Sequence, residues 1–572
     1  MRELVVDLEA DGLKPTVIHV AIVKDLADGK HYEFYKDDAA AFSSMVRDSK
    51  LIFHNGIGFD LPVLKKLWGY EHNGEVVDTL VLSRLCKPSR EGGHSLKAWG
   101  EVLGFPKGDH DDWSRLTPEM VEYCKRDTDV TAQVYRVLQN ESSGFSDQAI
   151  ALEHRVAQII QTQQENGWVV NERDAHLLLA RLQQRRQEIE DEVRTTFIPV
   201  PKFDKEINLV YKKNGDINSR NLTWLSDWRS IVGGDFSRIR WEEFNLGSRK
   251  QISERLIRLG WKPTKYTDKG SVIVDETVLS GVEGIPECSL IAEYFLVQKR
   301  EAMLDNIINK VESDGRVHGY VNTNGAVTGR MTHSNPNLAQ IPAGYSPYGK
   351  EFRGIFTVAS GNKLVGCDAS GLELRMLAHY MNDGAYTHEI LNGDIHTANQ
   401  LAAGLPSRDQ AKTFIYAFLY GAGDAKIGTV VGGNSADGKR LKQKFLSNTP
   451  ALASLRERVA TAAKRGFLRG LDGRCLWIRS DHAALNTLLQ SAGAVIMKQA
   501  LIILDDSAKA SGIRYKFVGN VHDEFQTEVE AARADEFGQL AVQAIRKAGD
   551  HFKLRCPLDG EYAVGDDWSQ TH

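Results

Sequence analysis

A chain of 572 residues, 42% hydrophobic and 26% charged, is long enough for several domains and has an ordinary globular composition. Its formal net charge of −5 excludes a protein that coats nucleic acid by bulk positive charge, yet admits a nucleic-acid enzyme whose carboxylates hold metal ions. Six scattered cysteines without a C-x-x-C pair argue against a disulfide framework or a zinc site. No apolar run reads as long enough to span a bilayer, and "MRELVVDLEADG" carries no signal-peptide pattern, so a cytoplasmic location is expected.

Residues 1 to about 143 alternate short strands and helices. "ELVVDLEA", "VIHVAIV" and "KLIFHNG" read as strands; "FDLPVLKKLWG" and "TPEMVEYCKRDTDVTAQVYRVLQ" read as helices, the second opened by Thr117-Pro118. "NESSGFSDQ" (140–148) reads as a linker. A helical stretch over roughly 149–197 breaks at "NGW", and 198–247 is the least regular part. Strand patterns return over about 317–375, followed by a mainly helical region to about 475. The end mixes the helix "HAALNTLLQSAGAVIMKQALIILDDSAKA" with strands around "FVGNVHDEFQ" (517–526). That last stretch reads as an apolar run, a Gly-Asn turn and a hairpin tip bearing His522, Asp523 and Glu524. Neighbours on a strand face opposite ways, so one of the two acids at most faces a site, and its partner must come from elsewhere.

A first carboxylate set is spread over the N-terminal region. Asp7 and Glu9 are two apart on one strand face. Asn55 and Asp60 sit at a strand-to-helix junction, and Tyr123 and Asp127 share a helix face at i and i+4. Each element alone also reads as edge-strand charge, a helix N-cap or a solvated pair. Together, Asp7, Glu9, Asp60 and Asp127 suit a two-metal site for phosphodiester hydrolysis, with Tyr123 orienting the attacking water. The set D-x-E, N-x-x-x-F-D and Y-x-x-x-D resembles the DnaQ-like, DEDDy-type 3′–5′ exonuclease, which implies an active proofreading nuclease.

A second set lies in the C-terminal half. In "KLVGCDASGLELRMLAHYM" Asp368 stands where a strand stops, and Glu373 at the turn into a helix. Asp368 and Asp523 at adjacent strand ends form an all-oxygen site that suits magnesium better than zinc. "PSRDQAKTFIYAFLYGAG" reads as an amphipathic helix with Ser407 as N-cap. Arg408, Lys412, Tyr416 and Tyr420 recur every four residues, with Ala411, Phe414 and Phe418 opposite, and Gly421 and Gly423 ending the helix. An Arg and a Lys one turn apart can clamp a triphosphate, although an exposed basic helix reads equally well in isolation.

"DASGLELR", R408-x-x-x-K412-x-x-x-Y416-x-x-x-Y420-G421 and "VHDE" resemble motifs A, B and C of family A (DNA polymerase I-like) polymerases. "TGRMTHSNPNLAQIP" (328–342), "QKR" (298–300) and "NTLLQSAGA" (486–494) resemble further family blocks in the same order. The resemblance covers nearly the whole chain, and within the family it is strongest to replicative polymerases of the T-seven group of phages. It implies a multidomain α/β and α+β fold, with a ribonuclease H-like, DnaQ-type exonuclease domain at 1–143. A right-hand polymerase domain follows: thumb 144–316 with a variable insertion at about 198–247, palm 317–380 and 481–572, and fingers 381–480.

The resemblance further implies template-directed DNA synthesis. Asp368 and Asp523 would ligate a pair of Mg2+ ions, with a second pair at the exonuclease site and Mn2+ as a substitute. Glu524 is expected as a nearby support and Lys412 as general acid. Arg408, Tyr416 and Tyr420 are expected to bind the dNTP, and Glu373, packed near Tyr416, to exclude a 2′-OH. Expected DNA contacts are His522, Asn486, Gln490, Arg330, Asn337, Gln340, Lys299 and Arg300. Implied partners are primer–template DNA, dNTPs, a phage helicase and a single-strand binding protein, with no membrane. The region 198–247, with Trp224, Trp228, Arg229, Arg238, Arg240 and Trp241, is shorter than the thioredoxin-binding insertion of the phage relatives. It reads as a DNA-gripping tip, a site for a processivity factor, or plain structure. The absence of a preceding 5′-nuclease domain favours replication over repair. A repair-type family A polymerase is the near alternative; a single-subunit RNA polymerase and a nuclease alone are more distant ones.

Overall fold

The apolar runs near the N-terminus pair into one five-stranded sheet, described here from a computed structural model covering residues 1–225, 227, 229 and 232–572. Arg2–Ala10 is the central strand, antiparallel to Ile18–Asp25 and parallel to Ser49–Phe53. His31–Tyr35 and Val76–Asp78 take the two edges. Alternation along the central strand sends Leu4, Val6 and Leu8 into one core and Val5 into another. Asp7 and Glu9 therefore share the face of Val5. The Pro118–Ser142 helix packs on that face, its Val130 joining the core of Val5. Thr117 starts this helix, its hydroxyl accepting the Met120 N–H, with Pro118 in the first turn.

The chain forms two compact units, Met1–Asn171 with Lys310–His572, and Glu172–Asn309. In the first unit a four-stranded antiparallel sheet runs in the order Tyr515–Val521, Glu524–Glu530, Asn362–Ala369, Gly560–Gly565. The Ala534–His551 helix covers it. The expected Gly-Asn turn is not there: Gly519 and Asn520 lie inside the first strand, next to a bulge between Phe517 and Gly519. A β-carbon on Gly519 would fall 2.7 Å from the buried Trp168 ring, so the glycine serves close packing. The chain reverses two residues later, at His522 (φ 58°) and Asp523.

Further helices of this unit, among them Arg408–Leu419, Ser435–Asn448 and Pro450–Ala463, pack around Phe414, Phe418 and Phe445. The Ala484–Ala510 helix corrects an expectation. By length and a mean hydropathy of 1.5 it could cross a membrane, but 72% of its apolar window is buried in the protein core.

In the second unit the Glu172–Thr196 and Pro286–Ile308 helices pack together. The stretch expected to be least regular contains a hairpin, Val200–Ile207 paired with Phe236–Glu242. Its register sets Pro201 opposite Trp241 and Phe203 opposite Ile239, with Phe203, Ile239 and Trp241 exposed. Arg238 lies 4.9 Å from the Trp224 ring, Arg229 and Arg240 are exposed, and Trp228 lies outside the described residues. The unit's bounds fall inside the expected 144–316, because the Asp147–Asn166 helix packs within the first unit.

Candidate active sites

The first carboxylate set converges. Asp7 and Glu9 come from the central strand, and Asp60 from the first residue of the Asp60–Trp68 helix. Asp127 comes from the Pro118–Ser142 helix, as does half-buried Tyr123. Asp60 is not an N-cap: Phe59 holds that position, with no side-chain cap bond. Glu9, Asp60 and Asp127 are 8%, 4% and 2% exposed. Burial, then the charge of Asp127, pushes Asp7 up; burial, then Asp7 and Asp127, pushes Glu9 up; burial also raises Asp60 and Asp127. The buried Oδ1 atoms of Asp60 and Asp127 have no hydrogen-bond partner. A crowded, under-neutralised set of hard oxygen donors fits a divalent cation such as Mg2+.

Three contributors at this site were not singled out in the sequence. Lys107 is ion-paired with Asp127, and its ammonium lies 4.6 Å from the centre of the Tyr123 ring. Cys124 Sγ is 3.3 Å from Asp7 Oδ2. Asp78 holds the turn that delivers Asp60, accepting the Asn55 N–H at 2.9 Å and the Ile57 N–H at 3.0 Å. Its own N–H donates to His154 Nε2 at 3.0 Å. The signal for Asp78 was local, since it also caps the Thr79–Cys86 helix through the Leu80 N–H. Lys107 sits in a loop and carries no such periodic signal.

At the second site, strand register sets Asp368 opposite Glu524, and the Ala369 N–H donates to the Asp523 carbonyl at 3.0 Å. Asp368 and Asp523 therefore stand at adjacent strand ends. Burial, then the charges of Asp523 and Glu524, pushes Asp368 up to about 7, and burial raises Asp523. Glu524 is held by other partners. It is 4% exposed, accepts Trp568 Nε1–H at 2.7 Å and Gln526, and pairs with His572 Nδ1 at 2.8 Å. Burial with these partners makes it an anchor for the hairpin.

The Arg408–Leu419 helix has the expected faces. Ser407 accepts the Gln410 N–H; Ala411, Phe414 and Phe418 are buried, and Gly421 (φ 75°) follows the helix end. Lys412 is exposed with no ion-pair partner among the described residues, whereas Arg408 Nε donates to Asp394 Oδ2 at 2.6 Å. Glu373 lies near the tyrosine stripe. Its carboxylate bonds Tyr420 rather than Tyr416, accepting the Tyr420 hydroxyl at 2.6 Å and Arg330 Nη2 at 3.0 Å. The Tyr416 and Tyr420 rings stack at 6.3 Å, and the Tyr416 hydroxyl is raised by burial, then by Glu373 and Asp523.

The remaining expected DNA contacts are dispersed. Asn486 and Gln490 lie one turn apart and half-buried on the Ala484–Ala510 helix. Asn337 is half-buried with an unpartnered Oδ1, and Gln340 is exposed. His522 lines a small cleft with Arg330, Met497 and Lys498. In the second unit Lys299 is exposed, but Arg300 is 8% exposed with its Nε unpartnered, so it is not presented to a ligand as expected.

The family model "DNA polymerase family A" matches residues 232–570. A DNA-directed DNA polymerase of Enterobacteria phage T3 is 36% identical over 706 aligned positions, covering 100% of both chains. That of Escherichia phage T7 is 36% identical with the same coverage. Those 706 positions exceed the 572 residues here, so these relatives carry segments this chain lacks. In fold, the chain is similar to the POL domain of Pol1 from M. smegmatis, solved with DNA primer–template and dNTP. The TM-score is 0.80 at 20% identity, covering 99% of this chain and 95% of that one. With carboxylates gathered at strand ends beside an Arg/Lys/Tyr helix, and a match of this extent, the chain belongs to DNA polymerase family A.

Proposed function

We infer that this protein is a template-directed, DNA-dependent DNA polymerase, and that residues 1–143 are its proofreading 3′–5′ exonuclease. The observation that carries the synthetic reading is the placing of Asp368 and Asp523 at adjacent strand ends, with Tyr416 in the field of Asp523. Asp368 and Asp523 would hold magnesium ions, whose charge would help to activate a primer 3′-OH and to neutralise pyrophosphate.

The protein's own groups do the rest. Arg408 exchanges Asp394 for a nucleotide phosphate, and the free Lys412 ammonium gives a proton to the leaving group. Tyr416 and Tyr420 offer ring faces to sugar and base. Glu373, fixed between Tyr420 and Arg330, closes the space a 2′-OH would need. Asn486, Gln490, His522, Arg330, Asn337, Gln340 and Lys299 contact primer–template DNA. In the nuclease site Asp7, Glu9, Asp60 and Asp127 hold the cations, and Tyr123 orients water. The raised, unpartnered carboxylates support that assignment.

A replicative role in a phage-infected cytoplasm, alongside a helicase and single-strand binding protein, fits the phage relatives. The exposed Phe203, Ile239 and Trp241 of the hairpin offer a surface for a processivity factor. The test is a labelled primer on a longer template with Mg2+, with and without dNTPs. Extension with dNTPs should vanish in Asp523→Ala alone, and shortening without dNTPs in Asp7→Ala alone. Shortening without any extension would overturn the polymerase reading and leave a nuclease.

A further inference from the structure

Two short strands, Tyr320–Asn322 and Thr332–Ser334, pair antiparallel, and the loop between them carries Arg330. The loop doubles back at a turn. The Gly329 N–H donates to the Ala326 carbonyl at 2.9 Å, and the Ala326 N–H to the Arg330 carbonyl at 3.3 Å. Gly329 is left-handed (φ 74°), and the space a β-carbon would take is already filled. Such an atom would lie 2.6 Å from Arg474 Nη1 and 3.3 Å from Asn324 Oδ1. Arg474 and Asn324 therefore form the floor on which the turn rests. Arg474, 1% exposed, is held rigidly, by Glu153 through Nη2 and by Asp472 through Nε and Nη2. Its Nη1, and both amide atoms of the 2% exposed Asn324, have no hydrogen-bond partner among the described residues. Buried polar atoms kept unpaired are costly, and such departures concentrate at functional sites. Here they lie one residue from such a contact. Arg330 follows Gly329, and its Nη2 donates to Glu373 Oε1 at 3.0 Å, while the Tyr420 hydroxyl donates to Glu373 Oε2 at 2.6 Å. Lys498, bound to the same Glu153, lines the small cleft that Arg330 shares with His522.

We propose that Arg474 and Asn324 are positioning residues for the choice of sugar: by fixing the Gly329 turn they aim Arg330 at Glu373 and so hold that carboxylate in the space of a 2′-OH. Neither touches the nucleotide; both act through Arg330. A supporting shell about 1 Å too loose is enough to lose a function of this kind. The Glu153–Asp472 ion pairs thus keep Arg474 still enough to serve as a stop beneath the turn. The proposal rests on the reading of Glu373 as the group that excludes a 2′-OH.

The test is single-nucleotide insertion by the full chain on a primer–template, comparing kcat/KM for a dNTP with that for the matching rNTP. Arg474→Lys keeps the charge that Glu153 and Asp472 face but withdraws the Nη1 group. Asn324→Ala leaves the ion pairs whole. In each variant the dNTP-over-rNTP ratio should fall about tenfold, chiefly because rNTP insertion rises. A merely structural role would lower both substrates together and leave the ratio unmoved. Glu373→Ala should lower the ratio as well, and adding Arg474→Lys to it should lower it no further, because the effect runs through Glu373. Thermal melting identifies a variant that has not folded; should Arg474→Lys be one, Asn324→Ala decides. A ratio within about twofold of wild type in the folded variants, with Glu373→Ala relaxed, overturns this proposal and spares the Glu373 reading. A wild-type ratio in Glu373→Ala overturns that reading and this proposal with it.

Discussion

Glu153, on the Asp147–Asn166 helix, is fully buried and receives two cations. Arg474 Nη2 donates to it at 2.6 Å, and Lys498 Nζ lies 2.7 and 2.8 Å from its two oxygens. Arg474 also holds Asp472 at 2.7 Å, so two cations face two carboxylates with all four side chains out of water. Glu153→Gln keeps the shape but leaves one buried positive charge in excess. Breaking such a pair from one side costs about 3–5 kcal/mol, whereas removing both partners is often close to neutral. Urea denaturation at pH 7 should therefore show a loss of about 3–5 kcal/mol in Glu153→Gln, mostly recovered in Glu153→Gln with Lys498→Met. The pH dependence has a definite sign. Burial pulls Lys498 down to about 8, against the opposing pull of Glu153. A base with a lowered folded pKa binds fewer protons folded than unfolded, so stability rises with pH above that value. Without Glu153 the lysine falls further, so the variant begins to gain earlier and its deficit narrows as pH climbs from 7 toward 8. A deficit below about 1 kcal/mol, or a double variant no better than the single one, would refute the reasoning.

Asp394→Asn should release Arg408 and lower the KM for dNTP a few-fold with kcat little changed; an unchanged KM would show that the pair does not compete with nucleotide. Asp368, raised to about 7, is protonated at lower pH and then a poor cation ligand. Polymerase activity should therefore fall as pH drops through about 7, and added Mg2+ should move that midpoint down. In chelator, the same raised carboxyl loses its contribution to folding stability as pH rises from about 4 through about 7, so Asp368→Asn should gain on wild type in melting temperature between pH 4 and pH 8. Equal melting at both values would contradict the assignment. The Tyr416 hydroxyl, able to stand in for a missing 3′-OH, should make dideoxynucleotides good substrates; poor incorporation by the wild type, unchanged in Tyr416→Phe, would count against it.

Much of each site was legible in the sequence because it follows from the geometry of single elements. Asp7 and Glu9 share a strand face at spacing two, Tyr123 and Asp127 a helix face at spacing four, and Arg408 to Tyr420 one helical stripe whose back carries Phe414 and Phe418. Ser407 and Thr117 cap as their residue types demand. Local signals failed where tertiary contacts override them. Gly519-Asn520 has turn chemistry, but Trp168 packs against the glycine and keeps it in the strand, so the chain reverses at His522 and Asp523 instead. The Ala484–Ala510 helix has the composition of a membrane span and is instead wrapped by core. The Glu373 hydrogen bonds to Tyr420 and Arg330 come from the arrangement of three elements and were not in the local signal. Lys107, Cys124 and the Glu153 network join residues far apart in the chain, and no periodicity encodes such meetings. Spacing within an element is fixed by backbone geometry, which any sequence displays. Which elements meet is fixed by how their apolar faces are buried together, and only the folded chain decides that.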